Sequence, residues 1–226
     1  ATSTDAGQPS SASTSERELS VQARFVSSGP RDRADVALTF HTNGDLDLAQ
    51  QLLDVTVERQ VPITCFIVGN WLEANPAWAT KLTAAGHELA NHTFSHPTVS
   101  ALDPDQLADE IRRCRDVLHR LAGTPGRYFR PSGTDDGTSM PPDLVLETSE
   151  AAGYATVVGF DVDPLDFRAP GSAAVVERTL DASSNGSIIS LHFGHPGTIE
   201  ALPAILDGLA ADRLRPVTLS ELLRGN

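Results

Sequence analysis

The sequence predicts an α/β domain whose parallel strands close toward a barrel of about seven strands, and three observations carry that expectation. From Asp35 onward, short β-rich runs alternate with helical patterns. Those runs are continuously apolar rather than alternating, as strands buried on both faces are. Seven or eight such units in one domain favour a barrel over an open sheet. No Gly-x-Gly-x-x-Gly follows the first strand, so a nucleotide-binding doubly wound sheet finds no support.

The elements follow in order. "DVALTF" reads as the first strand, and "DLAQQLLDVTVERQ" as a helix with Leu48, Leu52 and Val55 at helical spacing. "ITCFIVG" is an apolar strand, and "PAWATKLTAAG" a helix with Pro near its start and Gly at its end. "HELANH" is a short strand. "DPDQLADEIRRCRDVLHRLAG" is the longest helix, capped by Asp103 and stopped by Gly123. Then come the strand "RYFR", a helix around "PDLVLETSEAAG", the strand "ATVVGF", the helix "SAAVVERTLDAS" and the strand "SIISLH". The helix "TIEALPAILDGLAADR", the strand "RPVTL" and a terminal helix complete the series.

At 226 residues the chain accommodates one sizeable domain. We place a flexible Ser/Thr-rich linker at 1–22 and the folded domain at 23–226. The formal net charge of −13 argues against nucleic acid or an anionic membrane surface as the main partner. No apolar run reaches membrane-spanning length. A chain starting with Ala and a Ser/Thr-rich tether suggest a secreted or cell-envelope-associated protein. Cys65 and Cys114 lack Cys-x-x-Cys spacing and read as small buried hydrophobes or a single disulfide.

The unusual residues sit where strands end. His41 follows "ALTF", His92 and His96 lie in "ANHTFSHP", and His192 and His195 in "ISLHFGHPG". Arg130 ends "RYFR", and "GFDVDPLDF" supplies Asp161, Asp163 and Asp166. The four-residue spacing of His92 and His96 puts both imidazoles on one side of a helical turn, where they share a metal ion. His192 suits a general acid, with a carboxylate of "DVDPLDF" orienting its ring. His195 reads as a loop residue, and His87 and His119 as positions without implied partners.

Taken together, these segments resemble the motifs of the NodB-type polysaccharide deacetylases, the fourth carbohydrate esterase family. "TFHTNGD" stands where that family has Thr-Phe-Asp-Asp-Gly, and "HTFSH" matches His-Ser/Thr-x-x-His. "RYFRPSG" matches Arg-x-x-Phe-Arg-Pro-x-Gly, "DVDPLDF" resembles Asp-x-x-Asp-Trp, and "IISLH" resembles Leu-x-Leu-His. The resemblance implies a distorted (β/α) barrel. It also implies a divalent metal, usually zinc, that activates water against an acetylated glycan: an N-acetylglucosamine polymer or an O-acetylated polysaccharide. By the same resemblance His92 and His96 are metal ligands, His192 is the general acid supported by Asp166, and Arg130 orients the base.

The first motif departs from that pattern. The family's base and third ligand are both Asp, and here those positions hold His41 and Thr42. We expect the Asn43-Gly44 turn to fold Asp45 back as third ligand, leaving His41 as base. Exchanging those two roles, or giving either to Asp135 or Asp136, fits the spacing as well. A non-catalytic glycan-binding domain on the same fold is the alternative function, and an amidase acting on a small amide is a third.

Overall fold

The computed structural model of this protein describes residues 22–134 and 136–225. The linker placed at 1–22 lies outside them apart from its last residue, and so does Asp135. In chain order the elements are β1 (Arg24–Val26), β2 (Asp35–Thr42), α1 (Leu46–Glu58), β3 (Thr64–Ile67), α2 (Gly69–Ala74), α3 (Ala77–Ala84) and β4 (Glu88–Asn91). They continue with α4 (Pro104–Ala122), α5 (Asp143–Ala151), β5 (Thr156–Val158), α6 (Ser172–Ala182), β6 (Ile188–His192), α7 (Pro196–Ala211), β7 (Arg215–Pro216) and α8 (Leu219–Leu222).

All strand pairings among the described residues are parallel. The order is β4-β3-β2-β6, with β7 beside the start of β2 and β1 beside β5. Single bridges from Phe129 to Asn91 and Val157 link β4 to β5, and one from Val162 to Ile189 reaches β6. This is the distorted α/β arrangement that the apolar runs imply.

The strand period of two explains what the interior holds. On β2, Val36, Leu38 and Phe40 join the apolar layer beneath α1 and α7, while Ala37 joins a second cluster with Phe66, Val158 and Ile188. The same inward parity carries on through Thr39 to His41. On β6 it runs from Ile188 through Ser190 to His192. The interior is therefore apolar at one end and polar where the strands stop.

Three local expectations are corrected. "RYFR" is not a strand beyond the two bridges of Phe129, because Pro131 has no N–H to extend a ladder. β1 lies upstream of Asp35, where three residues in a polar context give little pattern. α2 follows β3 directly, since Gly69 fits where a Cβ would meet the Phe94 ring at 2.8 Å. The longest helix behaves as read: Asp103 and Gln106 form a capping box and Gly123 closes it at φ 73°, the cap being worth about 1 kcal/mol. Cys65 and Cys114 are free and buried. Burial raises both thiols, Cys114 to about 12, so neither is a nucleophile at neutral pH.

His87 links the fold to acid. Thr56 donates its hydroxyl to the Leu53 carbonyl at 2.9 Å and so accepts from His87 Nε2 at 3.2 Å. The Ile63 N–H faces Nδ1 at 3.4 Å, which fixes a neutral ring. Burial lowers its pKa from 6.5 to about 4. The unfolded chain thus binds the proton first as pH falls. This contribution to stability is complete above 6.5 and lost between 6.5 and about 4. We expect the thermal midpoint of wild type to fall more steeply over that interval than that of His87→Gln. Parallel curves would contradict the assignment.

Candidate functional site

Four strand ends meet around one buried cation. Arg130 is 1% exposed and reaches inward past the Phe66 ring, 3.9 Å from its centroid. Its Nε donates to the Val158 carbonyl at 3.2 Å and Nη2 to the Gly159 carbonyl at 2.8 Å. Its Nη1 lies 2.9 Å from Thr39 Oγ1 and 3.1 Å from His41 Nε2. Burial lowers the guanidinium's pKa, opposed by Asp163, and the group stays cationic at neutral pH.

This cation fixes a directed chain of protons. A guanidinium only donates, so His41 Nε2 accepts and the His41 proton sits on Nδ1. His41 Nδ1 then donates to His192 Nε2 at 2.8 Å, across partners that the strand register sets side by side. His192 in turn donates from Nδ1 to Asp166 Oδ1 at 2.7 Å. The other oxygen, Asp166 Oδ2, accepts the His192 backbone N–H at 2.8 Å and the Thr198 hydroxyl at 2.6 Å. Burial, then His92, His192 and Arg130, push the His41 pKa well below its ordinary value, consistent with a neutral ring.

His92 and His96 stand beside this chain. Their spacing is not helical: they lie in the loop after β4, where Thr93 and His96 take left-handed φ of 69° and 62°. That turn brings their ring centroids to 4.9 Å, and His92 stacks on His41 at 4.2 Å. His92 Nδ1 donates to the Arg130 carbonyl at 2.9 Å. Its Nε2 is left as a buried lone pair without a hydrogen-bond partner. Burial lowers the pKa of both rings. A bare imidazole lone pair suits a cation, but two imidazoles fall one donor short of the three protein ligands of a catalytic zinc. Among the described residues no group of three or more His, Cys, Asp or Glu is placed to hold a metal ion. As they stand, the residues do not fit the implied metal.

The expected substitutes for the missing carboxylates lie elsewhere. Asp45 is exposed and caps α1, accepting the N–H of Asp47 at 2.9 Å and of Leu48 at 3.1 Å. The turn before it is pinned by Trp71 Nε1 on the Gly44 carbonyl at 2.9 Å, and by Gly194, which a Cβ on Gly44 would meet at 2.8 Å. The chain is thereby steered into the helix instead of back to His92 and His96, which corrects the assignment of Asp45 as ligand. Thr42 is fully buried with its hydroxyl on the Phe40 carbonyl. Asp136 bonds within its own loop, to Thr138 and Ser139. The role of base is corrected for His41 too, because one nitrogen accepts from Arg130 and the other is protonated.

The structure thus assembles His41, Arg130, Asp166, His192, His92 and His96, and leaves Asp45 apart. A cleft of about 410 Å³ opens over His41, His92, His96 and His192, with Asp163 and Phe167 on its rim. Sequence reasoning overlooked Thr39, which the inward parity of β2 marks, and Asp163, whose pKa burial raises. It overlooked Thr198 entirely, for nothing in "GHPGT" signals a bond to Asp166. His195, read as a loop residue, lines the cleft with its ring 5.7 Å from that of His192.

The family model described as polysaccharide deacetylase matches residues 28–157. A peptidoglycan-N-acetylglucosamine deacetylase of Bacillus cereus is 30% identical over 204 residues, which cover 88% of this chain and 72% of the relative. The solved Bc1960 peptidoglycan N-acetylglucosamine deacetylase, in complex with 4-naphthalen-1-yl-N-oxidanyl-benzamide, superposes with a TM-score of 0.81 at 27% identity. That match covers 89% of this chain and 94% of the other. BA3943, described as a CE4 family pseudoenzyme from Bacillus anthracis, superposes with a TM-score of 0.80 at 21% identity, a likeness of fold alone. It covers 88% of this chain and 68% of that one.

Proposed function

This chain belongs to the polysaccharide deacetylase family, and from that premise we propose that its histidine cleft binds an acetylated glycan of the N-acetylglucosamine type. With His41 and Thr42 in the first motif, the cleft holds the sugar without hydrolysing it. The observation that carries this reading is the engagement of both His41 nitrogens, by Arg130 and by His192. Hydrolysis of an acetamide needs a group that takes a proton from water, and the residue at that position has no free lone pair. His192 Nε2 is likewise occupied as an acceptor, so it holds no proton to give a leaving amine.

What remains suits recognition. His92 Nε2 offers an unmatched acceptor at the buried end of the cleft, fitted to an amide N–H or a hydroxyl. Asp163 supplies a carboxylate at the rim, and Phe167 an apolar ring for a sugar face. A peptidoglycan or chitooligosaccharide ligand would set the protein to work at the cell envelope or outside the cell. Among the described residues no helix is long and apolar enough to cross a membrane.

Deacetylation is the second reading. The relative's name supports it, as does the pairing of the His92 lone pair with an intact His192–Asp166 dyad. It requires a third donor and a base from residues outside the present arrangement. The test is calorimetric titration with chitotetraose, with acetate assayed in the same samples. Binding without acetate above the blank is expected. Sustained acetate release by wild type would establish the second reading, and neither signal would overturn both.

A further inference from the structure

We propose that a second cavity beside the histidine cleft is a subsite for the neighbouring sugar of the same glycan, so that the protein reads an oligosaccharide rather than a single N-acetyl sugar. This rests on the glycan reading above. The cavity measures about 330 Å³. Thr98, Pro131, Gly133, Thr134 and Phe160 line both it and the cleft, so the two share a wall.

Its lining is of another kind. Phe25, Val99, Met140, Val145 and Val158 make the walls apolar, and Asp136 and Ser139 add polar groups. A pyranose has the matching chemistry, with C–H faces and an acetamido methyl for the walls and hydroxyls for the polar groups. Met140 is 66% exposed yet lines this cavity, and Phe167, 43% exposed, lines the cleft. Each cavity therefore presents one solvent-facing large apolar side chain, which points to a ligand that covers both.

The wall is built without a ligand. The Gly137 carbonyl accepts the Phe160 N–H at 3.0 Å. A Cβ on Gly137 would meet the Phe160 ring at 2.3 Å, and one on Gly159 would meet the Gly137 oxygen at 1.9 Å. Only glycine at both positions allows so close an approach. The Asp136 carboxylate braces the same loop by accepting the Thr138 N–H at 2.8 Å, its hydroxyl at 2.7 Å and the Ser139 hydroxyl.

The test titrates N-acetylglucosamine and chitooligosaccharides of increasing length into wild type, Ser100→Trp and Met140→Asp. Ser100 is an exposed residue on the cavity, away from the cleft, so tryptophan there fills the cavity, while Asp at 140 puts a charge on its apolar wall. Wild type is expected to bind the longer oligomers at least roughly tenfold more tightly than the monosaccharide. Both variants, with unchanged thermal midpoints, are expected to lose that gain and keep the monosaccharide affinity. Affinity independent of length, or a gain that survives in both folded variants, would overturn the subsite alone. Failure of every length to bind, the monosaccharide included, would overturn the glycan reading and the subsite with it.

Discussion

Wild-type protein loaded with zinc and then exhaustively dialysed is expected to retain well under one zinc per chain, while His41→Asp/Thr42→Asp retains about one. His92 and His96 supply two neutral donors and no carboxylate stands near enough to be a third. The double substitution restores the two carboxylates that the family motif places at these positions. A carboxylate at 41 also gives Arg130 an anionic partner in place of a neutral ring, and one with lone pairs to spare for water. Acetate release from an N-acetylglucosamine oligomer is then expected to rise at least about a hundredfold over wild type, the scale on which a positioned base acts. Elemental analysis and an acetate assay read both results. One zinc per wild-type chain would contradict the account whatever the variant does.

Arg130→Leu is expected to lower stability by about 4 kcal/mol or more, because several buried acceptors lose their donor at once and each costs roughly 1–3 kcal/mol. The carbonyls of Val158 and Gly159 are affected, as are Thr39 and His41. For a domain of this size that is a fall in thermal midpoint of roughly 8–16 °C. Arg130→Lys is expected to recover only a part, since a single ammonium cannot span acceptors on three sides. A fall of under about 2 °C for Arg130→Leu would mean that water or a rearranged neighbour satisfies these groups.

Much of this architecture is legible in the sequence for physical reasons. Continuous apolar runs announce strands buried on both faces, and the caps of α4 are written in Asp103, Gln106 and Gly123. Inward parity along β2 carries Ala37, Thr39 and His41 to one face, so the position of His41 follows from the strand alone. The role of His41 does not, because it depends on which nitrogen faces Arg130, a contact across 89 positions of chain. Asp45 misleads for a related reason. An Asn-Gly-Asp turn is equally a fold-back and a helix start, and the bond from Trp71 decides between them. The His92–His96 pair is found by spacing, though its geometry comes from left-handed residues that spacing does not reveal.

The central claim is that both nitrogens of His41 are engaged, and long-range 15N–1H NMR of the imidazole rings tests it most directly. Across about pH 5–8, the range in which an ordinary histidine titrates, His41 and His192 are expected to stay neutral with their protons on Nδ1. A His41 ring that carries its proton on Nε2, or that becomes cationic within this range, would contradict the chain from Arg130 to Asp166. It would also return His41 to candidacy as the base.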